Sequence, residues 1–277
     1  MLLRNKNAII YGGGGSLGGA VAKALAAAGA KVFLTGRTLP PLQIVAGEIN
    51  ALGGLAEVAQ VNAFDADAIN HHLAAVLQSA GSLDISFNAV GVDAKQGVPL
   101  VDLSADDFVE PVSATLRTRF LTATAAGRVM AEQGSGVILF LTATPGGIGY
   151  PYTGGFAAAC CAVESFSNNL ASEVGLYGVR VINIRSGGSP DSRVFADAIK
   201  DRPEVMATVL KQMKADTMLK KLPLMADIAN TAVFLASDLA ANITGVTIDV
   251  TGGTTAALNY RSNPKIRKVA RPKFDKD

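Results

Sequence analysis

The sequence predicts an α/β chain, a doubly wound sheet of about seven parallel strands with helices on both faces. Three observations carry this. Short apolar segments rich in Val, Ile, Leu or Phe alternate with longer helix-periodic segments along the chain, and such alternation implies right-handed crossovers and a parallel sheet. Hydrophobic residues make up 49% and charged residues 17%, which suits strands buried on both faces. A run of glycines lies between the first strand and the first helix.

The elements follow in order. Asn7-Ala8-Ile9-Ile10-Tyr11 is the first strand, and a helical pattern near 17–28 ends at Gly29. A strand near 31–35 leads to a helix near 40–52, closed by Gly53. A third strand near 55–59 precedes a helix near 65–80, with Asp65 as its N-cap and Gly81 past its end; Gly is the residue that accepts a left-handed cap. The fourth strand, near 84–88, leads to a long helix near 104–133, which opens on Ser104 with Asp107 three residues on, a capping pattern. A fifth strand near 136–142, a helix near 155–176, a sixth strand near 179–185, a helix near 226–238 and a last strand near 246–250 complete the pattern. The rhythm breaks at 187–222, which holds two short helical patterns and is the natural place for a lid over a ligand.

At 277 residues the chain is at the upper end for one α/β domain. No boundary or repeat divides it, so residues 1–258 are expected to form one domain and 259–277 a basic C-terminal tail. The tail holds Arg261, Lys265, Arg267, Lys268, Arg271, Lys273 and Lys276 against Asp275 and Asp277, which leaves the body slightly acidic within a net charge of +2. Such a tail can bind nucleic acid or an acidic surface; the other reading is a solvated extension, or one draped over a neighbouring subunit. Aromatics are scarce at 6% and no basic stripe interleaves with them, so no nucleic-acid partner is expected. No apolar run reaches the roughly 18 residues of a membrane span, and the N-terminus is too short for a signal peptide. Cys160 and Cys161 are helix neighbours pointing about 100° apart, which makes a bridge implausible; a cytoplasmic location is the default. His71 and His72 have no third ligand at helical spacing, so no metal site is expected and both read as solvated surface residues.

Tyr11-Gly12-Gly13-Gly14-Gly15-Ser16-Leu17-Gly18-Gly19 follows a strand and opens a helix. Glycines permit a tight turn and close backbone approach, and the helix N-terminus offers free N–H groups to a pyrophosphate. Gly12, Gly15, Ser16, Leu17 and Gly18 are the positions expected to serve it, and the Ser16 hydroxyl can itself reach phosphate. The second strand ends Leu34-Thr35-Gly36-Arg37-Thr38 with no carboxylate, whereas selection of NAD puts one there, on the ribose 2′-hydroxyl. Arg37, with Thr38, can instead pair with a 2′-phosphate, which favours NADP(H) over NAD(H); the other reading is a solvated Arg after a strand.

These motifs resemble the short-chain dehydrogenases/reductases. The glycine loop is similar to Thr-Gly-x-x-x-Gly-x-Gly, with Tyr11 in place of Thr and Ser16 in place of the middle glycine. Phe87-Asn88-Ala89-Val90-Gly91 resembles Asn-Asn-Ala-Gly, and Asp227-Ile228-Ala229, Phe234-Leu235-Ala236-Ser237-Asp238, Ile243-Thr244-Gly245 and Gly252-Gly253 resemble the family's C-terminal signature. The resemblance spans roughly residues 7–255 and implies an extended Rossmann sheet. It also implies a nicotinamide cofactor touching Asn88, Ala89 and Gly91, with Asn62 and Ala63 on the adenine side, and a homotetramer or dimer paired through the helices near 104–133 and 155–176.

The same resemblance places Thr115, Ala143, Phe156 and Cys160 where the family carries its catalytic Asn, Ser, Tyr and Lys. All four are changed, and the Ser-to-Tyr spacing of 13 residues is kept from Ala143 to Phe156. Arg185-Ser186-Gly187-Gly188 replaces the usual Ala-Pro-Gly. Phe cannot donate a proton, and Cys160 has no permanent charge. Either the pocket has become apolar and inert, or it is repurposed, with Tyr152 or Tyr150 as proton donor and Arg185 or Thr142 polarising the substrate. The expected function is an atypical NADP(H)-dependent oxidoreductase acting on a small organic substrate. The alternatives are an NADP(H)-binding protein with a non-redox or sensing role, and a scaffold that uses its basic tail.

Overall fold

The structure, a computed structural model, describes residues 1–257; the basic tail at 259–277 lies outside the described residues. Seven strands form one sheet: β1 (Asn7–Tyr11), β2 (Lys31–Gly36), β3 (Leu55–Gln60), β4 (Ile85–Asn88), β5 (Gly136–Ala143), β6 (Val179–Ser186) and β7 (Val246–Val250). Their order is β3-β2-β1-β4-β5-β6-β7, and every neighbouring pair is parallel. The chain therefore winds outward from β1 twice, in opposite directions.

Alternating side chains along β1 seed two cores. Ala8 and Ile10 face a layer built by α1 (Ser16–Ala27), α2 (Leu39–Ala51) and α8 (Met225–Ala236), with Val21, Leu25, Leu42, Ile49, Ile228 and Leu235 fully or nearly fully buried. Ile9 and Tyr11 face the other layer, built by α3 (Ala66–Ala80), α4 (Ala105–Gln133) and α5 (Gly155–Val174), with Ile69, Leu73, Met130, Phe140 and Val163 at its centre. At about 25 cal/mol per Å² of apolar surface, these two layers are the main stabilising term.

The capping signals work as expected. Asp65 accepts from the amides of Asp67 and Ala68, Ser104 accepts from Asp107, and Gly81 closes α3 in the left-handed conformation. The break at 187–222 holds two helices, α6 (Arg193–Asp201) and α7 (Pro203–Asp216), neither of which buries a residue.

His72 differs from its reading as a solvated residue. It is half-buried on α3, its Nδ1 is buried without a hydrogen-bond partner, and burial lowers its pKa, partly opposed by Glu57. The wide spacing of apolar residues on α3 had concealed that this ring turns toward β3. His71 is exposed.

Candidate active site

In the register of the sheet Tyr11 lies beside both Thr35 and Asn88. The two halves of the winding therefore separate at the C-terminal ends of β1 and β4, where open α/β sheets bind ligands. A cleft of about 310 Å³ opens there. Its floor is Tyr11, Gly12 and Gly15; one wall is Thr35, Gly36, Arg37, Asn62, Ala63 and Phe64, and the other runs Ala89, Val90, Gly91, Val92 and Asp93.

The glycine loop is shaped by close packing. A Cβ on Gly18 would stand 2.2 Å from the Gly12 carbonyl oxygen, and Gly12 itself has φ +78° with the Ala89 carbonyl 2.9 Å from where a Cβ would be. Gly15 occupies the N-cap of α1 with no side chain to cap it, so the first-turn amides are left for an external anion. Amide donors, a bare glycine floor and an apolar wall formed by Val61, Ala63 and Phe64 fit a dinucleotide. Gly18 contributes by packing and does not line the cleft.

Among the other residues expected at the nucleotide, Arg37, Asn62, Ala63, Ala89 and Gly91 line the cleft, as do Gly12 and Gly15. Arg37 is exposed and makes no ion pair among the described residues. Thr38 is the exposed N-cap of α2. The carbonyl oxygen of the Asn62 side chain, expected to accept from adenine, already accepts from Phe64 N at 3.2 Å. Asn88 is buried and serves the loop itself: Nδ2 donates to Thr122 Oγ1 at 2.9 Å and to the Thr118 carbonyl, while Oδ1 accepts from Val90 N. The Ser16 hydroxyl, expected at phosphate, accepts from Arg193 N at 3.0 Å and so ties the glycine loop to the start of α6. Ser186 is buried, donating to the Gly187 carbonyl, and Gly187 N donates to Val250. Asp93 was not expected at the cleft; it lies in a loop with no motif to mark it.

The first turns of α5 carry Phe156 and Cys160. Gly154 and Gly155 let the helix start hard against its neighbours: a Cβ would stand 2.3 Å from the Lys95 carbonyl oxygen at Gly154 and 2.1 Å from that of Phe108 at Gly155. Phe156 is half-buried. Cys160 is buried, and burial pushes its thiol up to about 11, so it holds its proton at neutral pH and supplies no charge. Ala143 ends β5, and Thr115 lies on α4, its carbonyl accepting from the Thr118 hydroxyl.

Arg185 and Thr142, the groups expected to polarise a substrate, are already engaged. Glu164 on α5 accepts from Arg185 Nε at 3.0 Å, from Arg185 Nη2 and from Thr142 Oγ1 at 2.9 Å. Arg185 Nη1 also donates to Asp249 at 2.8 Å, and Asn183 Nδ2 donates to Thr142 Oγ1 at 2.7 Å. The hydrogen bond to Glu164 leads the causes that raise the Arg185 pKa further. Glu164 lies eight residues past Phe156 and belongs to no motif, which is why it escaped the sequence reading.

Of the two tyrosines before α5, Tyr152 is 57% exposed with φ +62°, its carbonyl accepting from Gly97 N. Tyr150 is half-buried, and burial, followed by the charge of Asp216 on α7, raises its pKa. It therefore keeps its proton at neutral pH and feels the charge of α7.

This fold, with a nucleotide-type cleft at the switch point of the sheet, defines a class, and the chain belongs to it: the short-chain dehydrogenase/reductase family, oxidoreductases of small organic molecules. The family model described as enoyl-(acyl carrier protein) reductase matches residues 13–255. Levodione reductase of Leifsonia aquatica is 32% identical over 256 residues, covering 90% of this chain and 94% of that protein. A 3alpha-hydroxysteroid dehydrogenase of Mediterraneibacter gnavus is 31% identical over 262 residues, covering 91% and 98%. The crystal structure of a levodione reductase aligns with a TM-score of 0.85 at 28% identity, over 92% of this chain and 99% of that one. No helix among the described residues is long and apolar enough to cross a membrane.

Proposed function

We propose that the chain is an atypical NADP(H)-dependent oxidoreductase that reduces an already activated small organic acceptor, with Thr115, Ala143, Phe156 and Cys160 at the positions where the family pattern carries Asn, Ser, Tyr and Lys. The observation that carries the cofactor choice is Arg37. It lines the cleft at the end of β2 with no ion-pair partner among the described residues, and no carboxylate precedes it on that strand. Asp93 lies across the cleft, on the loop after β4.

The first-turn amides of α1 would hold the pyrophosphate, Arg37 and Thr38 the 2′-phosphate, and Asn62, Ala63 and Phe64 the adenine. Ala89, Val90 and Gly91 would flank the nicotinamide half, and the cofactor supplies hydride when bound. Phe156 excludes water and donates nothing. Of the two tyrosines, Tyr152 is exposed and Tyr150 half-buried, so Tyr150 is the one we assign as donor. General acid catalysis typically contributes 10²–10⁴-fold, and positioning can contribute more. A conjugated enone or an iminium can accept hydride and collect its proton from Tyr150 or water, whereas a simple ketone reduces poorly.

The lid is residues 187–222, and the location is cytoplasmic, in keeping with two free cysteines. Phe120 on α4 is 53% exposed and stacks at 5.8 Å on Phe166 of α5, which supports homo-oligomer pairing through these two helices. A second reading, NADP(H) as a sensed or structural ligand, is favoured by the proton-holding thiol of Cys160.

Turnover separates the two. NADPH consumption with a conjugated enone, weak or absent with the corresponding saturated ketone, is the expected outcome; tight NADPH binding with no consumption for any acceptor selects the sensing role. Arg37→Ala is expected to weaken NADPH binding roughly 10–100-fold, the scale of a charge-assisted hydrogen bond, and to leave NADH binding within about twofold. Equal losses for both nucleotides would remove Arg37 as the phosphate anchor.

A further inference from the structure

Arg119 is a buried cation with no anion beside it among the described residues. It lies on α4, is 6% exposed, and pairs with no carboxylate among the described residues. Nη1 donates to the Val90 carbonyl at 2.7 Å and to Thr118 Oγ1 at 3.0 Å. Nε is buried with no partner, and Nη2 makes no hydrogen bond among the described residues. A guanidinium has five N–H donors: Nη1 spends its two, Nε is buried and unspent, and the two on Nη2 are not buried. Burying a charge without a counter-ion costs several kcal/mol, and a fold tolerates this chiefly where the charge has a use.

The surroundings indicate the use. Val90, which accepts from Nη1, lines the cleft. Thr118, which accepts the second bond, donates in turn to the carbonyl of Thr115. The Arg119 charge also acts on the Cys160 thiol of α5, lowering its pKa slightly against the larger effect of burial. The guanidinium is thus anchored to the wall of the cleft through the Val90 carbonyl, within reach of the charge-sensitive Cys160 thiol of α5. Burial lowers its pKa to about 10, so it remains charged at neutral pH.

We infer that Arg119 is the fixed positive charge of this active site, receiving electron-rich oxygens of the nicotinamide half of a dinucleotide at the inner end of the cleft. This rests on the proposed nucleotide-binding function. The site's cation then comes from α4, where no motif marks it. Arg119 is a binding and positioning group; its charge does not change during a reaction.

The test uses the full chain and two probes, NADPH and 2′,5′-ADP, which has the 2′-phosphate and adenosine but no nicotinamide half. Arg119→Met is expected to weaken NADPH binding roughly 10–100-fold and to leave 2′,5′-ADP binding within about twofold. Its melting temperature should hold or rise, because an unpaired buried charge has been replaced by apolar volume. Arg119→Lys keeps the charge and should recover most of the NADPH affinity. Arg128→Met, an exposed arginine on the same helix, is the control and should change neither. Unchanged NADPH affinity in Arg119→Met overturns the inference. So does a melting temperature that drops in both Arg119 variants while affinity is kept, because the residue is then structural. If the unmodified chain binds 2′,5′-ADP but not NADPH, the inference fails while the nucleotide site stands. Binding of neither probe removes the proposed function itself, and the inference with it.

Discussion

Glu164→Gln leaves Arg185 with Asp249 as its one anionic partner among the described residues. The pair is well buried, with side-chain exposures of 13% for Arg185 and 12% for Glu164, and breaking a buried pair from one side typically costs about 3–5 kcal/mol. Asp249 is 39% exposed and retains part of the attraction, so a loss of about 2–3 kcal/mol is expected in urea unfolding; a loss under about 0.5 kcal/mol would show that Glu164 does not hold the site together. Gly146 and Gly147 make the dependence plain, because a Cβ on the first would meet Glu164 Oε1 and on the second Arg185 Nη1. The turn after β5 is seated on this ion pair. At this scale local motifs marked Gly12, Arg37 and Asn88; the first two line the cleft and the third braces the loop beside it. The sequence hid Glu164, whose nearest partner lies 21 residues away, and Arg119, whose bond to the cleft wall spans 29 residues. It also misassigned Arg185, since a charge at a strand end looks available until its neighbours across the sheet and helix are known.

Among the elements, α3 carries a pH-sensitive weakness. His72 has a folded-state pKa below 6.5, because burial disfavours its charged form. The unfolded chain therefore binds more protons near pH 6, and the stability that neutral His72 contributes is present above about pH 6.5 and is lost as pH falls through the folded-state value. His72→Leu removes both the titration and the unpartnered Nδ1. The difference in unfolding free energy between pH 7 and pH 5 should be smaller in the variant than in the unmodified chain, and an equal or larger difference would place the acid sensitivity elsewhere. Element boundaries were largely readable. β1 and β7 match their expected ranges, and Asp65 and Ser104 cap where their side chains suggested. The helix of the His pair was readable too, but the rotation that turns His72 inward and leaves His71 out depends on packing that no local pattern records.

Over the whole molecule, the sheet order follows from the alternation of strands and helices together with right-handed crossovers, and the cleft follows from the switch between β1 and β4. What the sequence could not disclose is how the distant parts meet. Ser16 of the glycine loop accepts from Arg193 N across 177 residues, so the glycine loop and the start of α6 share a hydrogen bond. Arg119 of α4 reaches the carbonyl of Val90 after β4, and the Glu164–Arg185–Asp249 ion pairs join α5 to β6 and β7. The measurement that bears most directly on the proposed function is a titration of the purified chain with NADPH and with NADH, reading cofactor fluorescence and melting temperature together. Tight binding of NADPH, at least about tenfold stronger than NADH, with a clear rise in melting temperature by mass action, is the expected result. Binding of neither nucleotide, or a preference for NADH, would contradict it.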